Sequence, residues 1–322
     1  PWRCPVDDEI MEFAGPHAAL FADYVRYKRA LGYAIPSSYQ TVLRDMSRVL
    51  ASLPPIDSIV DKRAAELIAR RREGESVPTQ CKRMAICRQL CVFLRGEGYD
   101  AHVLPHNLVR DTSDFVPRII SEREMARAIE FADATMRDWV GLLLRLLWCL
   151  GLRMGEALRL DVSDIDLDAG TILVRRAKGD RTRLCPMSSS LSRHVASYME
   201  AHGLACADGS LPLIPSADGS GHRSHATAAF KIKEAFAAAG IARPEGPTAR
   251  PHDIRHSYAV HALEKAMESG MDAYVALPIL AVFMGHADIK STEYYLRLTE
   301  GHYRGIVDAQ ARCSATVFGG AS

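Results

Sequence analysis

The chain has 322 residues, 48% of them hydrophobic and 25% charged, with a formal net charge of +1. That length allows two domains with real cores, and these ordinary globular values exclude wholesale disorder and fibrous repeats. The net charge names no partner, but residues 21–110 carry 15 Lys+Arg against 9 Asp+Glu, a basic surface suited either to a polyanion or simply to solvent.

From Ala18 to Leu53 apolar residues recur at helical spacing, as in Leu20, Tyr24 and Tyr27 and again in Val42, Met46, Val49 and Leu50. The break LGYAIPSS divides them, with Pro36-Ser37-Ser38 starting the second helix. A third helix is predicted from about Asp57 to Arg72. A fourth begins near Thr79, with Met84, Cys87, Leu90, Cys91 and Leu94 on one stripe. Residues 1–111 thus read as a small helical domain. The segment RDTSDFVPR mixes turn formers with a proline, which makes residues 112–119 an interdomain linker.

Residues 120–322 read as the second domain. Ser121-Glu122-Arg123-Glu124 has the pattern of a helix start. A buried helix over Asp138–Leu150 follows, closed by Gly151, and then a short helix around Gly155–Leu160. The clearest β signal is a hairpin: Thr171–Val174, a turn at Lys178-Gly179-Asp180, and Arg183–Met187. Ser188-Ser189-Ser190 caps the next helix, and LPLIPSADGSGHRSH reads as a loop. The fold class is therefore mainly α with a small antiparallel β-sheet.

The eight cysteines are scattered through apolar contexts with no C-x-x-C pair, which suits a reducing compartment. The longest apolar run, Trp139–Leu152, is interrupted by Arg145 and is too short to span a bilayer. There is no signal pattern at the start of the chain, so a cytoplasmic, nucleoid-associated protein is expected. His222 and His225 have H-x-x-H spacing, but no third ligand lies nearby, so no metal site is expected.

Four pieces of the second domain place charged or polar groups beside structural breaks: GLRMGEALRL (151–160), RRAKGDRTR (175–183), PHDIRHSYAV (251–260) and MGHADIKSTEYY (284–295). Each alone has a plain explanation, such as Arg153 pairing with Glu156 or Lys178 solvated at a turn. Together, two arginines, a lysine, two histidines and a tyrosine form a set suited to gripping and attacking a phosphodiester. Guanidinium forks match the non-bridging oxygens and neutralise charge that builds in the transition state. A phenol, with a pKa of about 10, needs its proton drawn off or its anion stabilised by nearby cations.

In these residues the chain resembles the tyrosine recombinases, or phage integrase family, over most of residues 120–310. The pattern G-L-R-x-x-E-x-x-x-L is matched by Gly151, Leu152, Arg153, Glu156 and Leu160. H-x-x-R-H is matched by His252, Arg255 and His256, and L-G-H-x-x-x-x-T-x-x-Y by Met284, Gly285, His286, Ser291 or Thr292, and Tyr295. The hairpin lysine of the family is matched by Lys178, followed by Gly179, Arg181 and Arg183. Met284 stands where Leu is usual, and the stretch between Tyr258 and His286 is longer than in the simplest members. YVRYKRALGY (24–33) is similar to transposon-borne members.

The resemblance implies a helical DNA core-binding domain followed by a mixed α/β catalytic domain. It implies that Arg153 and Arg255 clamp the scissile phosphate with His286 as a further ligand, that His252 assists proton transfer at the tyrosine, and that Lys178 acts as general acid toward the leaving 5′-hydroxyl. Tyr295 would form a 3′-phosphotyrosyl bond, with no metal or nucleotide cofactor, and Glu156 would orient Arg153 or its neighbours. The expected partners are double-stranded DNA recombination sites and further copies of the chain, a tetramer in the synapse, with a tail helix after Tyr303 packing in trans or on its own domain. Arg44, Arg48, Lys82 and Arg83 are the first domain's expected DNA contacts. Relaxation of supercoils in the manner of type IB topoisomerases, and DNA binding without catalysis, are the alternatives. Periodicity does not separate Tyr294 from Tyr295; the nine-residue offset from His286 matches the family's tyrosine at 295.

Overall fold

The computed structural model describes residues 12–54, 58–106, 108–109, 117–177, 181–204, 209–243, 246–285 and Tyr295. The chain separates into two compact units, one ending at Phe115 and one starting at Val116.

In the first unit the described elements are four helices: α1 (Ala18–Ala30), α2 (Ser37–Ala51), α3 (Lys62–Ala69) and α4 (Val77–Gly96). Their apolar stripes meet in one core that includes Phe21, Tyr24, Leu43, Met46, Leu90 and Leu94. Cys87 and Cys91, one turn apart on α4, are fully buried in it as small hydrophobes. Local capping sets the helix ends more tightly than periodicity suggests. The Asp61 carboxylate accepts from the Ala64 N–H at 2.7 Å, so α3 starts at Lys62. Ser76 caps α4 with Pro78 in its first turn, so that helix begins two residues before Thr79.

The second unit contains α5 (Glu122–Thr135), α6 (Asp138–Leu150), the single turn α7 (Met154–Ala157), and a sheet of β1 (Ile165–Asp166), β2 (Thr171–Ala177) and β3 (Arg181–Pro186). It continues with α8 (Ser189–Ala201), α9 (His225–Ala238), the short strands β4 (Ala242–Arg243) and β5 (Gly246–Thr248), α10 (Pro251–Glu268) and α11 (Ala273–Met284). The sheet is antiparallel in the order β1-β2-β3. Helix α6 is its hub: Leu142, Leu143, Leu144 and Leu146 are each wholly buried. A helix this apolar must be packed on most of its faces, and α6 is flanked by α5, α8, α9 and α10, with Asp138 at its start and Cys149 near its end left exposed. Each buried leucine contributes about 1.5–3 kcal/mol.

Three structural details add to the sequence reading. Residues 112–116 of the proposed linker lie outside the described residues, but Arg118 and Ile119 already belong to the second unit. Arg118 donates to the Ala242 carbonyl at 3.1 Å, and Ile119 packs against the cluster of Ala259, Val260 and Leu263. The β4–β5 pair was not foreseen, because strands of two and three residues carry no alternation to read. In the stretch read as a loop, Leu213 and Ile214 are fully buried, and the Leu213 N–H donates to the Leu160 carbonyl at 2.8 Å.

The tail after Tyr303 lies outside the described residues. The five described cysteines, Cys81, Cys87, Cys91, Cys149 and Cys185, are unbridged. No helix of the described residues is long and apolar enough to cross a membrane.

Candidate active site

Two helices end in the same way close to one another. Gly151 after α6 has φ +59° and Gly285 after α11 has φ +67°, the left-handed conformation that glycine adopts without strain. Each ending leaves helix carbonyls in need of donors, and one guanidinium serves both. Arg255 donates from Nη1 to the Gly151 carbonyl and from Nη2 to the Met284 carbonyl, both at 2.6 Å. A Cβ on Gly151 would stand 2.4 Å from the Tyr258 ring. The Tyr258 ring in turn stacks on Phe283, so its role is packing.

Gly151 turns the chain so that Arg153 leads into α7, whose Glu156 is only 4% exposed. This carboxylate collects three cations. It accepts from Arg153 Nη1 at 2.7 Å and from the Arg153 N–H at 3.0 Å. Arg183, arriving on β3, donates from Nη2 at 2.8 Å, and Arg255 Nη1 is 4.0 Å away. Burial alone would raise the Glu156 pKa, but the Arg183 hydrogen bond and charge and the Arg153 bonds outweigh it and bring it down to about 2. Arg153 also reaches the Gly285 carbonyl at 3.3 Å. The three guanidiniums are thus fixed by one carboxylate and two helix ends.

Arg255 is lowered to about 10 by burial and by the neighbouring charge of Arg153. At neutral pH it is still a cation. Its two carbonyl bonds use two of the five N–H donors of a guanidinium, which leaves donors for an anionic ligand. His252, in the first turn of α10, lines the cleft beside Arg153. Burial, then the charges of Arg255 and Arg153, lower its pKa and favour the neutral ring.

One turn further along α10, His256 meets His252 edge to face with ring centroids 4.8 Å apart. Its Nδ1 lies 3.1 Å from the Tyr295 hydroxyl. Tyr295 is 3% exposed and belongs to the buried cluster that includes Ala259, Leu263, Leu277 and Met284. The expected site residues Arg153, Arg255 and His252 therefore share one cluster, and His256 rather than His252 touches the tyrosine hydroxyl. In the sequence His256 stands out only as the last residue of H-x-x-R-H; its position one helical turn from His252 is the signal that places it at the site. Arg183 likewise stands out in the sequence only as a neighbour of the hairpin lysine. Lys178, His286 and Tyr294 lie outside the described residues.

The four expected DNA contacts of the first unit are placed differently from one another. Lys82 and Arg48 are exposed, and Arg48 lies 3.4 Å from Asp45. Arg44 is half-buried and donates to the Gln40 side chain. Arg83 is withdrawn from any surface role: it is 2% exposed, pairs with Glu75 at 2.7 Å and donates to the Arg70 carbonyl at 3.0 Å. His222 bonds Asp161 at 2.9 Å. Among the described residues no group of three His, Cys, Asp or Glu side chains could hold a metal ion.

The model of the phage integrase family matches residues 118–302, more than half of the chain. The chain belongs to the phage integrase family. It is 34% identical over 225 residues to the integrase/recombinase y4rE of Sinorhizobium fredii, across 64% of this chain and 66% of that protein. Tyrosine recombinase XerD of Rhizobium meliloti is 26% identical over 313 residues, 92% of this chain and 96% of that one. Among solved structures, the XerH site-specific recombinase bound to its palindromic difH substrate superposes with a TM-score of 0.67 at 18% identity, over 89% of this chain and 83% of that one. The fold described above is thus that of a tyrosine recombinase.

Proposed function

We propose that this recombinase cleaves and rejoins duplex DNA at specific sites by attack of Tyr295 on a backbone phosphate. The observation that carries the reading is the cluster itself. A buried phenol is held by His256 on the same helix as Arg255, which shares Glu156 with Arg153. Arg153 and Arg255 bind the non-bridging oxygens of the scissile phosphate and neutralise the charge that grows on them. With Nδ1 of His256 unprotonated, the Tyr295 hydroxyl donates to it and passes its proton there as Oη bonds to phosphorus. The bond from phosphorus to the 5′-oxygen breaks, Lys178 protonates that oxygen, and a 3′-phosphotyrosyl bond remains. His252 and His286 complete the phosphate contacts. The reverse attack by a 5′-hydroxyl restores the phosphodiester and the free tyrosine.

In this reading the helices of the first unit grip the recombination site, with Arg44, Arg48 and Lys82 as phosphate or base contacts. The chain acts as a homotetramer when two sites are paired. The test is a supercoiled plasmid carrying two copies of a site recovered by selection for binding. Site-specific joining supports the recombinase, whereas relaxation of plasmids without sites marks a topoisomerase. Binding without either reaction marks a protein that only holds DNA.

A further inference from the structure

Arg183 stands where a strand places core residues. It shares one face of β3 with Cys185, which is fully buried, whereas Leu184 between them is 62% exposed. Its own side chain is 9% exposed. An arginine in such a place is costly unless its charge is met. Both terminal nitrogens meet Glu156: Nη2 donates to one carboxylate oxygen at 2.8 Å and Nη1 to the other at 3.4 Å. The guanidinium also packs against Gly285, where a Cβ would stand 2.7 Å from Nη1 and 3.2 Å from Cζ. With Nε buried as well, Arg183 is not placed to contact DNA.

What Arg183 changes is the charge of the side chains that do face a phosphate. Arg153 bonds the same carboxylate at 2.7 Å, and Arg255 lies 4.0 Å from it. If Glu156 met only these two, it would cancel one of them and leave the pair a net +1. That balances a phosphodiester before reaction and nothing more. With Arg183 included, three guanidiniums and one carboxylate sum to +2. The surplus meets the negative charge that gathers on the non-bridging oxygens as Tyr295 attacks, and only interactions stronger in the transition state than before it speed the step. Geometry follows the same division. Because Arg183 holds one oxygen of Glu156, Arg153 bonds the other through Nη1 alone, and its Nη2 turns to the Gly285 carbonyl at 3.3 Å instead of closing a two-pronged fork on the carboxylate.

We propose that Arg183 is a positioning residue of the cleavage reaction, which occupies Glu156 so that Arg153 and Arg255 meet the scissile phosphate with their full charge. The proposal rests on the recombinase reading above. It gives β3 a task separate from that of any residue that touches DNA.

The test compares Arg183→Gln, Arg183→Lys and the double variant Glu156→Gln/Arg183→Gln of the full chain in single-turnover cleavage of a nicked site. Arg183→Gln leaves Glu156 charged and should slow cleavage about 100-fold. Its affinity for the duplex should stay at the wild-type value, because a group that touches no phosphate acts on the rate and not on binding. The double variant keeps a hydrogen-bond acceptor at position 156 and removes both charges, which restores +2 to Arg153 and Arg255. It should cleave about tenfold faster than Arg183→Gln. Arg183→Lys keeps the charge and should stay closer to wild type than Arg183→Gln does. A merely structural role predicts the reverse order for the double variant, which has lost more native bonds than the single one. A double variant no faster than Arg183→Gln overturns the proposal, as does Arg183→Gln cleaving at the wild-type rate. If Arg183→Gln does not fold, the neutral pair, which leaves no buried charge orphaned by the change, carries the test; a folded neutral pair that forms no adduct where wild type does overturns the proposal. A second readout needs no cleavage. His252 lines the cleft beside Arg153, so NMR of its ring senses the charge there: its midpoint should rise in Arg183→Gln and return toward wild type in the double variant. An unmoved midpoint in Arg183→Gln also overturns the proposal. If the wild-type chain forms no adduct while His252 follows this pattern, only the recombinase reading fails.

Discussion

Replacing Glu156 with Gln should loosen the catalytic unit, and the structure says by how much. The carboxylate is nearly inaccessible and is shared by Arg153, Arg183 and, at 4.0 Å, Arg255. Holding its pKa near 2 instead of the ordinary 4.5 corresponds, at about 1.4 kcal/mol per pH unit, to about 3 kcal/mol of preference for the charged form. Breaking a buried pair on one side costs a similar ~3–5 kcal/mol, because the remaining cations stay desolvated. For a unit of this size, a loss of about 3–5 kcal/mol is a fall in melting temperature of about 6–20 °C, taking ~2–4 °C per kcal/mol. Two of the chain's three tryptophans, Trp139 and Trp148, lie in this unit, so tryptophan fluorescence during urea unfolding reports it. Because the folded pKa is depressed, the Glu156 contribution is complete above about pH 4.5 and is lost as the pH falls toward 2. The gap between wild type and Glu156→Gln should therefore be full at pH 7 and shrink below pH 4.5. A gap under about 0.5 kcal/mol, the usual size of a surface substitution, or one of constant size down to pH 3, would refute the reasoning.

Three further outcomes follow from particular contacts. Gly285→Ala places a side chain at φ +67° and a Cβ 2.7 Å from Arg183 Nη1; the left-handed backbone costs about 1–2 kcal/mol, and the displaced Arg183 should slow DNA cleavage, both readable by melting and single-turnover assays. Arg83→Gln should cost the first unit ~3–5 kcal/mol by orphaning buried Glu75, whereas Lys82→Gln should leave melting unchanged and weaken DNA binding, so a destabilised Lys82→Gln with a neutral Arg83→Gln would reverse the assignment. The His252 ring, followed by NMR, should titrate below its ordinary 6.5 because of burial and the adjacent arginines; the neutral ring it favours then contributes stability that is lost as the pH falls below that value, and a midpoint above 6.5 would contradict the placement of His252.

What the sequence made legible were features whose cause is local. The 13-residue helix α6 is an apolar run with a glycine stop, and Arg153 with Glu156 is a pair three residues apart. The β2–β3 hairpin shows as two strands around a turn. Features made by chain crossings were not legible. Arg183 reaches Glu156 across 27 positions and His256 reaches Tyr295 across 39, and neither periodicity nor motif spacing states which side chains meet at such separations. Arg83 reads as a surface cation on α4 until Glu75, eight residues earlier, is seen to fold back over it. Polarity alone does not distinguish a solvated arginine from one buried with its counter-ion.

The central claim is that Tyr295 is the nucleophile, and the most direct measurement is the identity of the residue that becomes joined to DNA. A duplex carrying a selected site, nicked so that the cleaved fragment diffuses away, should trap the chain as a covalent complex. Proteolysis and mass spectrometry are expected to find the nucleotide on the phenol of Tyr295. Tyr295→Phe should lose the complex while keeping its DNA affinity, and Tyr294→Phe should retain it. A nucleotide on Tyr294, or the absence of any covalent complex on sites that the chain binds, would contradict the account.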